Sequence, residues 1–233
     1  MGFIVNNTTF PTIMDLIFPH SCRGCGALGS PLCNRCKNNI ILESVNFCPN
    51  CKALNPTGKC PKCKMMPPTF MIGNRTDLIG KLIYDLKFNS VRALARPIAE
   101  ILDNSLPNID GPVVVVPLPT IRCHIRQRGL DHTYLIAKNF VKIRGAKYSA
   151  AKILQRTNST VQVGADRKAR LAQASSAYNI GPKYTLDAEN TYIIFDDIWT
   201  TGASIKAAVR LLKSAGARKI IVALLAVSRI DQK

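Results

Sequence analysis

The sequence predicts an α/β protein, with a mostly parallel sheet flanked by helices and a small cysteine-rich module in front of it. Eight of the nine cysteines fall before residue 64, which sets that module apart from the rest of the chain. Residues 113–116 form a short, all-apolar run that is typical of a strand buried in a parallel sheet. Residues 192–227 have the pattern of strand, turn, helix and strand, which indicates a βαβ unit.

Length and composition favour one medium domain with a small appendage. With 233 residues, of which 47% are hydrophobic and 20% charged, the chain can bury a core. The first twenty residues contain no Lys or Arg, and no apolar run reaches the roughly 18 residues that span a bilayer. We therefore expect a cytoplasmic protein without a transmembrane segment, peripheral at a membrane at most.

The cysteines form four CxxC pairs, which is enough for two tetrahedral metal sites. In a reducing compartment such pairs are metal ligands more often than disulfides. Zinc is favoured over an iron–sulfur cluster, and its expected role is structural, with nucleic-acid contact as the alternative. We expect the first pair to combine with the second and the third with the fourth, although an interleaved pairing also fits. The expected ligands are Cys22, Cys25, Cys33, Cys36, Cys48, Cys51, Cys60 and Cys63.

Three segments are expected along the chain: a lead-in at 1–20, a double zinc ribbon at 21–66 and the main domain at 69–233. Pro67-Pro68 marks the boundary, because two prolines continue neither a helix nor a central strand. Apolar residues at helical spacing predict two amphipathic helices around Leu82 and Ile98, ahead of a first strand at 113–116. Further elements are expected at 134–143 (helix), 156–176 (polar loop), 192–195 (strand), 196–204 (turn), 205–214 (helix) and 220–227 (strand).

The chain is strongly basic, with a formal net charge of +18. A positive field of this size favours polyanionic partners, such as phosphorylated metabolites, nucleic acid or anionic lipid surfaces. A solvated basic surface without a partner explains the charge equally well. The positive charge is concentrated in residues 122–170, which contain twelve Lys or Arg and two Asp.

An acid pair and a hydroxyl-rich turn follow the strand expected at 192–195. Ligands of open α/β sheets bind at the carboxyl ends of strands, where unpaired backbone N–H groups at a helix start suit a phosphate. Asp196 and Asp197 suit the two vicinal hydroxyls of a ribose, and Gly202 lets the backbone approach a 5′-phosphate. The phosphate ligands would be Thr200, Thr201, Gly202, Ala203 and Ser204.

The string from Ile193 to Ser204 resembles the diphosphoribose-binding signature of type I phosphoribosyltransferases. The resemblance implies a fold of that type and a 5-phosphoribosyl diphosphate ligand with Mg²⁺. A transferase also needs cations to offset the charge of the leaving diphosphate. The expected diphosphate site consists of Pro117, Leu118, Pro119, Arg122, Arg126 and Arg128, with Lys87 from a helix end, and the loop carrying Arg156, Thr157, Gln162, Arg167 and Arg170 would close over it.

Over about residues 20–230 the order of motifs resembles the ComF/GntX-type competence family. The motifs are the four CxxC pairs, a Leu-Lys-Phe, a Val-Pro-Leu-Pro loop, an Arg-Gly motif, the Arg/Thr/Gln/Arg loop and the diphosphoribose signature. The resemblance implies a role in handling single-stranded DNA during natural transformation, with competence-machinery proteins as partners. The chain departs from the family where Leu130-Asp131-His132 replaces Phe-Asn-Gln and where Ser204 replaces Thr.

Two functions remain open at this stage. The first is Mg²⁺-dependent transfer of a phosphoribosyl group to a nitrogen nucleophile, with no general base identified. The second is a non-catalytic module that senses a phosphoribosyl compound or handles nucleic acid. Cys123 and His124 are interpreted as incidental, and Trp199 as a residue that covers the phosphate turn rather than stacking on a base.

Overall fold

The computed structural model describes residues 20–63, 66–75, 77–157 and 177–228. The expected lead-in lies outside these ranges except for its last residue, and so do Gln162, Arg167 and Arg170. The described helices are α1 (Asn34–Glu43), α2 (Leu78–Phe88), α3 (Ala95–Ser105), α4 (Arg122–Arg128), α5 (His132–Arg144) and α6 (Ala203–Ser214). The described strands are β1 (Thr69–Asn74), β2 (Val113–Pro117), β3 (Tyr148–Ala150), β4 (Leu154–Arg156), β5 (Tyr178–Ile180), β6 (Thr191–Trp199) and β7 (Lys219–Val227).

Five strands form one sheet in the order β1-β7-β6-β2-β3, and every neighbouring pair is parallel. The prediction of a mostly parallel sheet flanked by helices is therefore confirmed. Because all five strands run in one direction, their carboxyl ends and the loops that follow lie along a single edge. β4 and β5 form a separate two-stranded antiparallel sheet.

Helices cover both faces of the sheet, so its strands are buried on both sides. On one face α2, α3 and α5 pack over Ile193 and Phe195 of β6. On the other face α6 and the β4–β5 sheet pack over Tyr192 and Ile194. Side chains of a strand alternate between faces, so the residues that follow Phe195 also divide between the two layers.

The first strand of the sheet was not expected. β1 precedes the two amphipathic helices, so the prediction that 113–116 is the first strand is wrong. Only Phe70, Met71 and Ile72 carry its apolar signal, and such a run is too short to distinguish from a connecting segment. Its pairing with β7, from the far end of the chain, makes it a strand.

The strand that carries the acid pair is longer than expected. β6 continues to Trp199 rather than ending at 195, because its ladder with β7 extends through Asp196↔Leu224 to Trp199↔Val227. The expected turn at 196–204 therefore shrinks to residues 200–202, and the helix that follows begins at Ala203. The expected helix at 134–143 also extends at both ends, to His132 and Arg144. Its earlier start has a local cause, because the Asp131 side chain accepts a hydrogen bond from Tyr134 N and caps α5.

The cysteine-rich segment wraps around the β1 edge of the sheet and contacts both layers. Its first half, with Ile40 of α1, shares the core of α2 and α3, and Lys37 forms a 2.5 Å ion pair with Glu100. Its second half packs Phe47 against the α6 layer. Asn46 closes the open side of β1, because its amide donates to Thr69 O at 3.3 Å and accepts from Met71 N at 3.0 Å. None of the described helices is long and apolar enough to cross a membrane.

Candidate functional site

Two four-cysteine clusters lie in the cysteine-rich segment. Cys22, Cys25, Cys33 and Cys36 form one cluster, and Cys48, Cys51, Cys60 and Cys63 form the other, with all Sγ atoms of a cluster within 4.8 Å of one another. The pairing is therefore first with second and third with fourth, and not interleaved. A tetrahedral Zn²⁺ with bonds of about 2.3 Å needs thiolates about 3.8 Å apart. The Sγ atoms of Cys25 and Cys33 are 3.7 Å apart, so the donor set fits such an ion.

Backbone amides prepare one thiol of each cluster for metal binding, because the thiolate is the ligand form. Burial acts to raise the pKa of Cys22, but hydrogen bonds from backbone N–H groups, that of Cys33 among them, lower it to about 6. In the second cluster the thiol with a lowered pKa is that of Cys60, the third cysteine of the set. Burial again opposes ionisation there, and the Cys63 backbone N–H together with the Cys51 thiol lowers its pKa to about 7.

Asp196 and Asp197 lie on opposite faces of the sheet, because they are consecutive residues of β6. The Asp197 side chain faces the layer of α2 and α5. Lys87 Nζ, from the end of α2, contacts its Oδ2, and His132 Nε2, from the start of α5, lies 2.5 Å from the same oxygen. Lys87, expected near a diphosphate, is thus an ion-pair partner of the acid pair.

The two carboxyls have opposite pKa shifts. Burial acts to raise the pKa of Asp197, but the hydrogen bond from His132 and the charge of Lys87 outweigh it and lower this pKa to about 2. Burial raises the pKa of Asp196 to about 8, and the negative charge of Asp197 adds to the increase. At neutral pH Asp197 is therefore the ionised member of the pair and Asp196 is mostly protonated.

His132 is the residue that sequence reasoning missed. It was noted only as part of a departure from the competence family, yet it is almost completely buried and bonds to Asp197 from 65 positions away. Its Nδ1 atom is buried without a hydrogen-bond partner among the described residues. Its local signal is a position directly after the α5 cap Asp131, and that position does not identify Asp197 as the partner.

The short turn between β6 and α6 is built on Trp199 and Gly202. Gly202 has a φ of 72°, in the left-handed region, and immediately precedes α6. Trp199 is buried under this turn with 2% exposure, so its ring is not available to stack on a base. Thr200 and Thr201 are exposed, while Ala203 and Ser204 are half-buried in the first turn of the helix.

A cleft of about 500 Å³ lies beside the end of β2. Of the expected diphosphate residues, Pro117, Leu118, Pro119 and Arg122 line it. Arg126 and Arg128 are not among its lining residues; Arg128 instead lies over the Phe88 ring, 4.8 Å from its centroid. The opposite wall consists of β4 with its flanking residues and of the segment that follows β5. It carries three cations: Lys152 just before β4, Arg156 in β4 and Lys183 after β5.

The cleft and the acid pair are neighbours. Pro117 is the register partner of Phe195, and Leu118 N donates to Phe195 O at 2.8 Å. Arg156 connects the two features electrostatically, because it lines the cleft and its charge also acts on Asp196. The expected residues from β2, β4 and β6 are thus brought to one edge of the sheet.

No protein-family model matches this chain. Similar solved structures include a hypoxanthine phosphoribosyltransferase of Trypanosoma cruzi, with 8% identity, coverage of 62% of this chain and 68% of that chain, and a TM-score of 0.38. Two crystal forms of a hypoxanthine phosphoribosyltransferase of Staphylococcus aureus each give 13% identity, coverage of 62% and 69%, and a TM-score of 0.34. Similarity at this level carries no argument, so the fold class rests on the strand order and the two cysteine clusters.

Proposed function

We propose that this chain binds 5-phosphoribosyl diphosphate or ribose 5-phosphate at the carboxyl edge of its sheet. The observation that carries the proposal is the hydrogen bond from Leu118 N to Phe195 O, which fixes the ends of β2 and β6 side by side. A basic cleft follows the first strand, and an acid pair with a helix start follows the second. A phosphoribosyl ligand needs both environments close together, because its phosphate groups require cations or N–H donors and its vicinal hydroxyls require a carboxylate.

The 5′-phosphate is assigned to residues 200–204. A twelve-residue helix begins there, and its first N–H groups have no intrahelical acceptors. The positive end of the helix dipole and these donors favour a dianion. Thr200 and Thr201, both exposed, add hydroxyl donors.

The ribose is assigned to the acid pair. Vicinal hydroxyls donate hydrogen bonds to a carboxylate, and bonds to a charged acceptor are stronger than neutral ones. Asp197 supplies that charge, because its low pKa keeps it ionised. Lys87 balances the charge, so a phosphate bound nearby meets little net repulsion.

The diphosphate is assigned to the cleft beside Pro117, Leu118, Pro119 and Arg122. Lys152, Arg156 and Lys183 face it from the other wall. Asp131 is the carboxylate among the lining residues, and Lys152 Nζ already binds its Oδ2 at 2.8 Å. Mg²⁺ fits this site as an ion carried by the diphosphate and held mainly by phosphate oxygens.

Transfer of the phosphoribosyl group is the reaction that such a site supports. A nitrogen nucleophile would attack C1 of the ribose while the bond from C1 to the diphosphate oxygen breaks. The diphosphate leaves with the electron pair, and the cations of the cleft stabilise its growing charge. The nitrogen then loses its proton to solvent.

We also assign one structural Zn²⁺ to each four-cysteine cluster, on the basis of the donor geometry. Eight closely spaced thiols persist as metal ligands in a reducing compartment, so we place the protein in the cytoplasm.

Single-stranded nucleic-acid handling is the second candidate function, and a specific surface favours it. A groove of about 520 Å³ lies between the second cysteine cluster and α6. Its lining includes Lys62, Lys206, Arg210 and Lys213 but no acidic residue. The three cations of α6 lie on one side of the helix at spacings of four and three residues, which suits a run of phosphates. This role would match the competence-family resemblance.

Titration calorimetry tests the ribose and diphosphate assignments. The metal-loaded protein is titrated with 5-phosphoribosyl diphosphate and Mg²⁺, and the wild type is compared with the double variant Asp196→Asn/Asp197→Asn. We expect the variant to bind at least about tenfold more weakly, because it lacks the charged acceptor. Asp110→Asn is the matched control, since Asp110 is exposed and precedes β2 at the opposite edge of the sheet. Failure of the wild type to bind would reject the proposal.

A further inference from the structure

One oxygen of Asp197 receives two donors from two different helices. Lys87 reaches Oδ2 from the end of α2, and His132 reaches it from the first residue of α5. The side chains are 15%, 4% and 9% exposed for Lys87, His132 and Asp197. A carboxylate at such a depth loses most of its hydration, so these two donors replace water.

The other oxygen of Asp197 remains available. No described residue donates a hydrogen bond to Oδ1, and this atom is not among the fully buried polar atoms without a partner. A carboxylate offers about four lone-pair sites on two oxygens, and the two donors occupy only one side of the group. Oδ1 can therefore accept a hydrogen bond from a ligand while Lys87 and His132 hold Oδ2.

Two further contacts fix the donors relative to each other. Arg128, at the end of α4, lies over the Phe88 ring next to Lys87. Arg92 Nη2 donates to Gly129 O at 2.9 Å, between α4 and α5. The end of α2 and the start of α5 are thus joined outside the Asp197 contact as well as at it, which limits the movement of both donors.

We propose that Lys87 and His132 are positioning residues that hold Asp197 through Oδ2 and direct Oδ1 to a ribose hydroxyl, making the site selective for ribose over deoxyribose. This inference rests on the proposed function, because it assigns roles within the same site. Neither residue touches the ligand itself. His132 acts as a hydrogen-bond donor and Lys87 as the compensating charge.

The chemistry of the pair explains why both donors are present. Lys87 alone would neutralise Asp197, but an ammonium group rotates freely and does not fix the plane of a carboxylate. The imidazole is rigid and is buried at the start of a helix, so it adds direction to the charge of Lys87. A glutamine amide can also donate from this position, which makes His132→Gln the conservative variant.

The test compares binding of ribose 5-phosphate and 2-deoxyribose 5-phosphate by titration calorimetry, with inorganic phosphate as a probe of the phosphate turn. We expect His132→Leu to lower the wild-type preference for ribose by about tenfold or more while phosphate binding stays unchanged. His132→Gln is expected to restore much of the preference. His124→Leu, on α4, is the matched control.

Lys87→Met adds a readout that a merely structural role would not change. The titratable and charged groups that act on Asp197 are Lys87, His132 and Asp196. In the wild type the ribose preference should be constant between pH 5 and pH 7, since Asp197 stays ionised throughout. In Lys87→Met it should fall as the pH is lowered through this range, because the carboxyl takes up a proton more readily. Lys81→Met, on the same helix, should behave as the wild type.

The possible results distinguish failure of the positioning roles from failure of the proposed function. A wild type that binds ribose 5-phosphate selectively, with both variants equally selective and independent of pH, overturns the positioning roles and leaves the proposed function intact. Variants that lose phosphate and ribose binding together also overturn them, because the effect is then on the fold. A wild type that binds neither sugar phosphate rejects both.

Discussion

The indole of Trp199 lies directly beneath Gly202. A Cβ atom added to Gly202 would lie 2.1 Å from Cζ2 of this indole, far inside any normal contact. The indole is buried between the β6–α6 turn and the second cysteine cluster, where it borders a small cavity with Cys48, Cys60 and Thr69. The absence of a side chain at Gly202 thus serves the packing beneath the turn as well as the approach of a ligand above it.

Gly202→Ala is expected to weaken both the fold and phosphate binding. The substitution combines a left-handed φ of 72°, which costs a non-glycine residue about 1–2 kcal/mol, with a collision against Trp199. Gly216→Ala is the control for the backbone term alone, because its φ is 102° and its added Cβ meets nothing within 4 Å. Urea unfolding and phosphate titration should show a larger loss for Gly202→Ala. Equal losses would mean that the Trp199 contact is unimportant.

Metal analysis of the purified protein should give two zinc ions per chain. Cys25→Ser and Cys51→Ser each remove one thiolate from a different cluster, so each should lower the zinc content to about one ion and destabilise the fold. Cys123→Ser should have no effect, because Cys123 is exposed and belongs to neither cluster. A zinc content that is unchanged in both cluster variants would contradict the assignment.

Asp196 should make the protein less stable as the pH rises from about 5 to 8. Its pKa is about 8 in the folded protein and near 3.8 when unfolded, so the native state holds an extra proton between these values. Unfolding releases that proton, and the free energy of unfolding therefore decreases as the pH rises through this window. Asp197 has the opposite shift, but its effect lies below about pH 4.

Urea unfolding of Asp196→Asn at pH 5 and pH 8 measures this contribution. The variant should lose less stability across the window than the wild type, whereas Asp110→Asn should follow the wild type. A parallel decline in all three proteins would show that Asp196 is not the group responsible.

Nucleic-acid binding, if it uses the α6 groove, should depend on salt through the cations of that helix. Arg210→Ser/Lys213→Ser removes two of them, so the slope of log K against log salt for a single-stranded oligonucleotide should decrease by about 1.4. Lys142→Ser/Lys147→Ser is the charge-matched control, because both residues are exposed and lie away from the groove, Lys142 on α5 and Lys147 just before β3. Equal slopes for the two double variants would rule out this surface.

Local patterns predicted four of the six described α-helices and three of the seven described strands, and they missed α1, α4, β1, β3, β4 and β5. Contacts between distant residues explain why β1 and the end of β6 were missed. The valines of β2 and the strand–helix–strand pattern around β6 and α6 carry their signals within a few residues. β1 depends on pairing with a strand from the other end of the chain, and the extension of β6 to Trp199 depends on β7. No local pattern contains that information.

In the candidate site, too, residues close in sequence were predicted and residues brought together by the fold were not. The acid pair and the phosphate turn were found from their spacing, because they lie within nine consecutive residues. The roles of Lys87 and His132 were not found, since each becomes apparent only when α2 and α5 meet at the end of β6. Arg122 and Arg128 were expected to bind the same diphosphate, and they do not lie together for a similar reason. Their segment is a helix that directs Arg122 and Arg128 to different neighbours.

The position of β1 in the chain also affects the order in which the sheet can form. β1 is made before the other described strands, but its sheet partner β7 is made after all of them. In the meantime one side of β1 already has a partner, because Asn46 and the neighbouring Asn55 precede it in the chain and bond to it. We therefore expect the cysteine-rich segment to hold β1 extended and to cover one of its sides until β7 is available to pair with the other.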